Sequence, residues 1–336
     1  MGRENPLKLS ILDQSPVSAG KTPATALQAS MELAKSGEQF GYTRYWIAEH
    51  HDFSGLSCSA PEVMLGYIGA HTKTIRIGAG AVLLPHYKPY KVAEVYNMLA
   101  TLFPGRIDLG IGRAPGGSAE VTMALSDNFL QNVFKMPESF KELLRFLKDD
   151  FPEENMYSKV SAAPLPEISP KPWLLGTSIK SAKLAAENGS AYAFGHFMSD
   201  KDGPEILKIY EENFQPGSSQ QPESIIAVSA ICAETTEKAE HLAKSGFLWK
   251  LKMAKGEGSE GVPSLEEAER YPYTSGEQQA IEEMRRKIII GNPQEVREQL
   301  EQLQSIYHND EFMIVTITHD YMDRLRSYKL IAEELL

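Results

Sequence analysis

"GIGRAPGG", residues 110–117, closes the apolar run "RIDL" and decides between two parallel-sheet folds. A dinucleotide fingerprint, G-x-G-x-x-G, needs glycine at position 115, where Pro115 stands, and no acidic residue follows in the expected strand context. The stretch also belongs to the fourth strand–helix unit of the chain. These features disfavour a doubly wound Rossmann sheet. The glycines do leave space beside a strand end, and Arg113 there suits either an anion or a surface salt bridge.

The neighbouring segments extend the alternation in both directions. "IRIGAGAVLLP" (75–85) has the continuous apolar and small character of a strand covered on both faces. Val92, Val95, Tyr96, Leu99 and Phe103 then recur at helical spacing until Pro104 and Gly105 stop them. Upstream, "LKLSILDQSPV" (7–17) predicts a strand, the stripe Leu27, Met31, Ala34 a helix ending near Gly41, "RYWIAEHHDF" (44–53) a strand, and "APEVMLGYIGAHT" (60–72) a helix opened by Pro61. Downstream, Phe140, Leu143, Leu144 and Leu147 mark a helix, and the proline-rich segment 149–172 is an insertion or linker outside the repeating core.

The alternation resumes with strand "WLLGTS" (173–178), a helix closed by Asn188 and Gly189, strand "AYAFGHF" (191–197) and a helix from Pro204 to about Phe214. "SIIAVSAICAE" (224–234) is a strand followed by its helix, and residues 246–275 read as a long loop of little periodicity. Asn292 caps a helix opened by Pro293, with Glu295 at the capping-box position; "EFMIVTI" (311–317) is the last strand before a C-terminal helix. Eight strands, each followed by helix, without internal repeat or domain boundary, predict one (β/α)8 TIM barrel over residues 1–336, with insertions at about 149–172 and 246–275.

Composition narrows the function. Lys and Arg number 34 against 45 Asp and Glu, and a net charge of −11 repels nucleic acid and anionic membranes. No apolar run reaches the ~18 residues of a spanning helix and the first residues lack a signal-peptide core, so a cytoplasmic location is expected. Cys58 and Cys232 stand alone, without metal-ligand or disulfide-framework spacing.

In a barrel, catalytic groups gather at the C-terminal ends of the strands. His50 and His51 close the second strand there, His196 the sixth, and Gln14 and Ser15 the first. On a strand the two adjacent histidines point to opposite faces and cannot easily share a metal. "LLGTSIKSAK" (174–183) sets Gly176, Thr177, Ser178 and Ser181 around a helix start, which serves equally as a phosphate seat or as ordinary N-capping.

"GYTRYWIAEHH", "IRIGAGAVLLPHYKPYKVAE", "GRIDLGIGRAPGG" and "PWLLGTSIKSAKLAAENG", in that order, resemble the bacterial luciferase-like flavin monooxygenase family, most closely its non-luminescent single-chain members. The resemblance spans nearly the whole chain. It implies FMN held noncovalently at the C-terminal face, usually within a homodimer, and a cis peptide at Gly80–Ala81 beneath the flavin. It assigns Arg113 and the turn of Gly176, Thr177, Ser178 and Ser181 to the phosphate.

The two-component chemistry it implies draws reduced FMN from a separate NAD(P)H:flavin reductase, adds O2, and oxidises a small organic substrate through a flavin hydroperoxide. His50 is the expected acid/base facing the flavin, with Glu49, His51 and His196 shaping the substrate pocket and His51 turned toward the neighbouring loops. Residues 246–275 correspond in position to the family's mobile loop. Gly112 replaces the luciferase's reactive cysteine and Gly176 a glutamate of its phosphate turn, which argues against light emission on a long-chain aldehyde. Two alternatives stay open: a flavin store or carrier without turnover, and a deazaflavin-dependent oxidoreductase.

Overall fold

The computed structural model describes residues 6–53 and 55–336. Strands β1 (Lys8–Asp13), β2 (Arg44–Ile47), β3 (Arg76–Leu83), β4 (Ile107–Gly112), β5 (Lys171–Gly176), β6 (Ala191–Gly195), β7 (Ser224–Cys232), β8 (Ile288–Gly291) and β9 (Glu311–Val315) are all parallel. Eight of them close a ring in the order β1-β2-β3-β4-β5-β6-β7-β9, and β9 returns to β1. The predicted (β/α)8 barrel is therefore present.

One strand was not predicted. β8 pairs only with the upper part of β7, from Ser229↔Ile288 to Cys232↔Gly291, and so stands above the ring rather than in it. Its four residues, "IIIG", are too few for periodicity to register.

Two further expectations are corrected. Residues 246–275 are not an irregular loop: helix Thr236–Ala254 runs through the first of them, and Gly258–Glu260 and Leu265–Arg270 add short helical turns. Phe247, Leu248, Trp249 and Leu251 are all buried, since this helix packs on both the barrel and the Leu265–Arg270 helix, and such all-round burial erases the amphipathic period. The second strand stops at Ile47 instead of reaching Phe53, because the backbone N–H groups of His50 and His51 leave the ladder for the carbonyls of Cys58 and Gly116. The two histidines consequently sit on a loop. The segment 149–172 does run outside the barrel, although its last residues, Lys171 and Pro172, already belong to β5.

Period-2 alternation divides each strand between two cores. Ile47, Ile77, Leu109 and Phe312 face outward into the layer beneath the helices. Leu12, Trp46, Trp173, Ala193, Ile225 and Met313 fill the barrel interior, where the two indoles meet edge to face with centroids 5.3 Å apart. Gly110 is required here, since a Cβ on it would lie 2.1 Å from the Ala79 carbonyl oxygen.

Below the indoles, the strands begin with charge. Arg44 donates to Glu311 Oε1 (2.6 Å) and Oε2 (3.0 Å) and to Asp108 Oδ2 (2.9 Å). Arg76 donates to Asp108 Oδ1 (2.6 Å), and Trp46 Nε1 to Asp108 Oδ2 (3.0 Å). Burial pushes the Asp108 carboxyl up, but the Arg44 and Arg76 guanidiniums outweigh it and hold the group below the usual carboxylate range. The lower end is thus sealed by paired charges.

Candidate active site at the barrel mouth

Above the indoles the same inward positions become small. Alternation turns Ala48, Gly80, Gly112, Gly195 and Ala227 toward the axis at the C-terminal end, and Gly80, in the middle of β3, stays partly open to solvent. The peptide between Gly80 and Ala81 is cis, as the resemblance implied. Around this hollow stand Gln14, Leu175, Thr177, Phe197 and Ile317, each partly exposed at a strand end.

Two anion-seeking features flank it. Arg113, immediately after β4, is exposed and has no hydrogen bond or ion pair among the described residues. Across β5, Ser178 caps helix Ile179–Glu187: its hydroxyl accepts from the Ser181 amide (3.3 Å), while Ser181 Oγ accepts from the Ser178 amide (3.2 Å). The capping expected as one alternative is present. It occupies those two amides and leaves those of Ile179 and Lys180 without intrahelical acceptors at the positive end of the helix dipole. Gly176 fits tightly beneath, because a Cβ there would lie 2.3 Å from Ser181 Oγ.

His50 is half-buried, lies 5.9 Å from the Phe53 ring between centroids, and has a buried Nδ1 with no partner. Burial lowers its pKa to about 4; Glu49 opposes that fall and His51 adds to it, so the imidazole is neutral at pH 7. His51 and Glu49 are placed differently. His51 Nε2 bonds to Glu49 Oε1 (2.8 Å), Tyr87 donates to the same oxygen (2.6 Å), and the Leu83 amide donates to Oε2 (3.1 Å).

Both side chains are buried under the loop that follows β4, where the His51 amide donates to Gly116 and His86 bonds to the Pro115 carbonyl (2.8 Å). His51 does turn toward the neighbouring loops, and Glu49 is the acceptor that ties them to β3. His196 bonds through Nδ1 to the Tyr307 hydroxyl (2.7 Å) on helix Pro293–Tyr307, which anchors it to the outer layer beside β6. The geometry therefore gathers His50, Gly80, Ala81, Arg113 and the Gly176–Ser181 turn around one opening and binds Glu49, His51 and His196 into its supports.

Sequence reasoning missed Tyr87, His86 and Tyr307, whose only signal was aromatic or imidazole character next to a strand end. It also missed two short helices after β4, Ala119–Leu125 and Phe129–Phe134, neither of which buries a residue. A surface groove of about 750 Å3 lies at the opposite end, lined by residues such as Pro170, Pro172, Gln220 and the Lys171–Glu223 ion pair. Among the described residues no group of three or more His, Cys, Asp and Glu side chains could hold a metal ion, and no helix is long and apolar enough to cross a membrane.

Known proteins resemble this chain over nearly its whole length. The sequence profile of a family described as luciferase-like monooxygenase covers residues 7–309. An N-acetyl-S-alkylcysteine monooxygenase of Bacillus subtilis is 37% identical over 98% of this chain and 98% of its own length. The crystal structure of apo-MsnO8 superposes with a TM-score of 0.88 at 34% identity, covering 98% of each chain. The oxygenating constituent of 3,6-diketocamphane monooxygenase from Pseudomonas putida, solved in complex with FMN, shares the fold at 18% identity (TM-score 0.70, covering 98% of this chain and 97% of that one).

Proposed function

This chain belongs to the luciferase-like monooxygenase family, and from that membership we propose that it is an FMN-dependent monooxygenase acting on a small thioether. Reduced FMN would come from a separate NAD(P)H:flavin reductase, in the cytoplasm. The observation that carries the reading is the set of glycine and alanine residues turned inward above the Trp46–Trp173 floor, with an unpaired cation, Arg113, at the strand ends beside it. The thioether class rests on the activity named for the Bacillus relative.

Bound there, FMN would supply the activation of O2. The protein's part is positional. Arg113 and the free amides of Ile179 and Lys180 hold the phosphate dianion, with Thr177 beside them. The peptide of Gly80 and Ala81 would offer backbone polar groups to the bound ring. Leu175, Phe197 and Ile317 exclude water from the reacting face. His50, neutral at pH 7 and unpaired at Nδ1, would accept a proton at that atom.

The homodimer implied by the resemblance belongs to this proposal as well. Val63 and Tyr67 on helix Pro61–His71, and Met98 and Leu102 on helix Pro89–Leu102, are exposed apolar residues that such an interface would cover. The site is tested by His50→Ala. FMN titration should be unchanged while turnover falls by about 10²–10⁴-fold. Full turnover with FMN bound would remove His50 from the reaction, and hydrogen peroxide as the sole oxygen product in the wild type would favour a flavin carrier.

A further inference from the structure

Beyond the end of β2, the upper part of β3 is held by a side chain rather than by the ladder. β2 stops at Ile47, whose partner is Ala79, so the residues of β3 from Gly80 to Leu83 have no β2 partner. The Leu83 amide instead donates to Glu49 Oε2 (3.1 Å). Glu49 Oε1 bonds to the Tyr87 hydroxyl (2.6 Å) and to His51 Nε2 (2.8 Å). Among the described residues no lysine or arginine pairs with this buried carboxylate. Its partners are a main-chain amide, a phenol and an imidazole, and what it fixes is the distance between the segments that carry them.

Leu83 matters for what lies on its other side. There it registers with Gly112, the residue before Arg113. The loop that follows folds back onto the same group of residues. Gly116 has φ +71°, and a Cβ on it would lie 2.2 Å from Leu83 Cδ1; a Cβ on Gly117 would lie 2.5 Å from the His51 carbonyl oxygen. The His51 amide closes the contact by donating to the Gly116 carbonyl (2.8 Å). Gly112 and Gly116 are thus both seated on residues that Glu49 ties together. Arg113 lies between them, exposed and without a hydrogen bond or ion pair of its own among the described residues.

We propose that Glu49 is a positioning residue for Arg113: by holding Leu83 it fixes where the arginine stands, and so sets how strongly the protein prefers a flavin with a terminal phosphate to one without. This rests on the FMN reading of the mouth, in which Arg113 meets the phosphate. The role depends on the reach of the side chain rather than on its charge. A carboxylate one methylene shorter falls short of the Leu83 amide. A carboxamide of equal length keeps an oxygen for it, and the Tyr87 hydroxyl and the His51 ring can both accept from the NH2 group.

The full-length protein is titrated with FMN and with riboflavin, followed by flavin fluorescence, as wild type, Glu49→Asp, Glu49→Gln, Arg113→Ala and the Glu49→Asp, Arg113→Ala double variant. The wild type should prefer FMN by about tenfold or more, as a charge-assisted contact provides. Glu49→Asp should lose most of that preference while its riboflavin affinity stays within about twofold, and Glu49→Gln should keep the preference. In the double variant the aspartate should add less than about twofold to the loss caused by Arg113→Ala, because both changes remove one interaction. A general loosening of the mouth would weaken both flavins alike.

Hydrogen exchange of the flavin-free protein gives a second readout. Peptides spanning 81–87 and 110–118 should exchange faster in Glu49→Asp than in the wild type, and at the wild-type rate in Glu49→Gln. Full FMN preference in Glu49→Asp, its loss in Glu49→Gln, equal weakening of both flavins, additive effects in the double variant, or unchanged exchange in Glu49→Asp would each overturn the proposal. If neither flavin binds the wild type, or Arg113→Ala leaves FMN affinity intact, the FMN reading falls instead. The exchange of 81–87 and 110–118 then still decides whether Glu49 holds this junction.

Discussion

At the lower end of the barrel, β2, β3, β4 and β9 turn Arg44, Arg76, Asp108 and Glu311 inward, and every one of these charges is met by its opposite. At the upper end the same four strands turn Ala48, Gly80, Gly112 and Ile317 inward, and two polar groups at the strand ends, Arg113 and His50 Nδ1, have no partner among the described residues. The two ends share strands and curvature but differ in whether their polar groups are satisfied from within. Satisfied polar groups hold a fold together; unsatisfied ones around a space of small residues are what a ligand completes.

That contrast can be broken most visibly from below. Asp108→Ala leaves Arg44 and Arg76 facing each other in a buried space, and should cost about 3–5 kcal/mol of stability in urea unfolding. A loss under about 1 kcal/mol would mean that the network is not what seals this end. The matching change above is Arg113→Ala. FMN affinity should fall by about 1.5–3 kcal/mol, the worth of a charge-assisted contact. The melting temperature should hardly move, because an exposed, unpaired arginine contributes within about ±0.5 kcal/mol. A stability loss without a binding loss would reverse the assignment of that end.

The smallest effect concerns pH. His50 has its pKa lowered from 6.5 to about 4, mainly by burial, so below pH 6.5 the unfolded chain takes up a proton that the folded chain refuses. The corresponding stability is complete above pH 6.5 and is lost as pH falls toward 4. His50→Gln should flatten that part of the melting-temperature profile. An identical slope in the variant would show that His50 is already charged, and open to water, in the folded state.

The barrel was legible in the sequence because strands covered on both faces, such as "IRIGAGAVLLP", and helices with one apolar stripe carry their periods openly. Where burial is all-round the period disappears, and for that reason the sequence of helix Thr236–Ala254 resembles a loop beyond residue 246. β8 was lost through brevity, and the end of β2 through backbone bonds to Cys58 and Gly116 that lie far off in sequence.

The site divides in the same way. Arg113 and the 176–181 turn announce themselves locally, through glycine next to a strand end and hydroxyls at a helix start. The roles of Glu49, His51 and His196 depend on partners 2 to 111 positions away, and adjacent histidines in a string say nothing of Tyr87 or Tyr307.

The central claim is the proposal that the upper end of this barrel directs one atom of molecular oxygen into a small thioether. It is tested most directly by supplying the enzyme with chemically reduced FMN, isotopically labelled O2 and N-acetyl-S-benzylcysteine, and weighing the product by mass spectrometry. The account predicts a sulfoxide, or the fragments of carbon–sulfur cleavage, carrying one labelled oxygen, and its loss in His50→Ala. Recovery of unchanged thioether with all the labelled oxygen in hydrogen peroxide would contradict it.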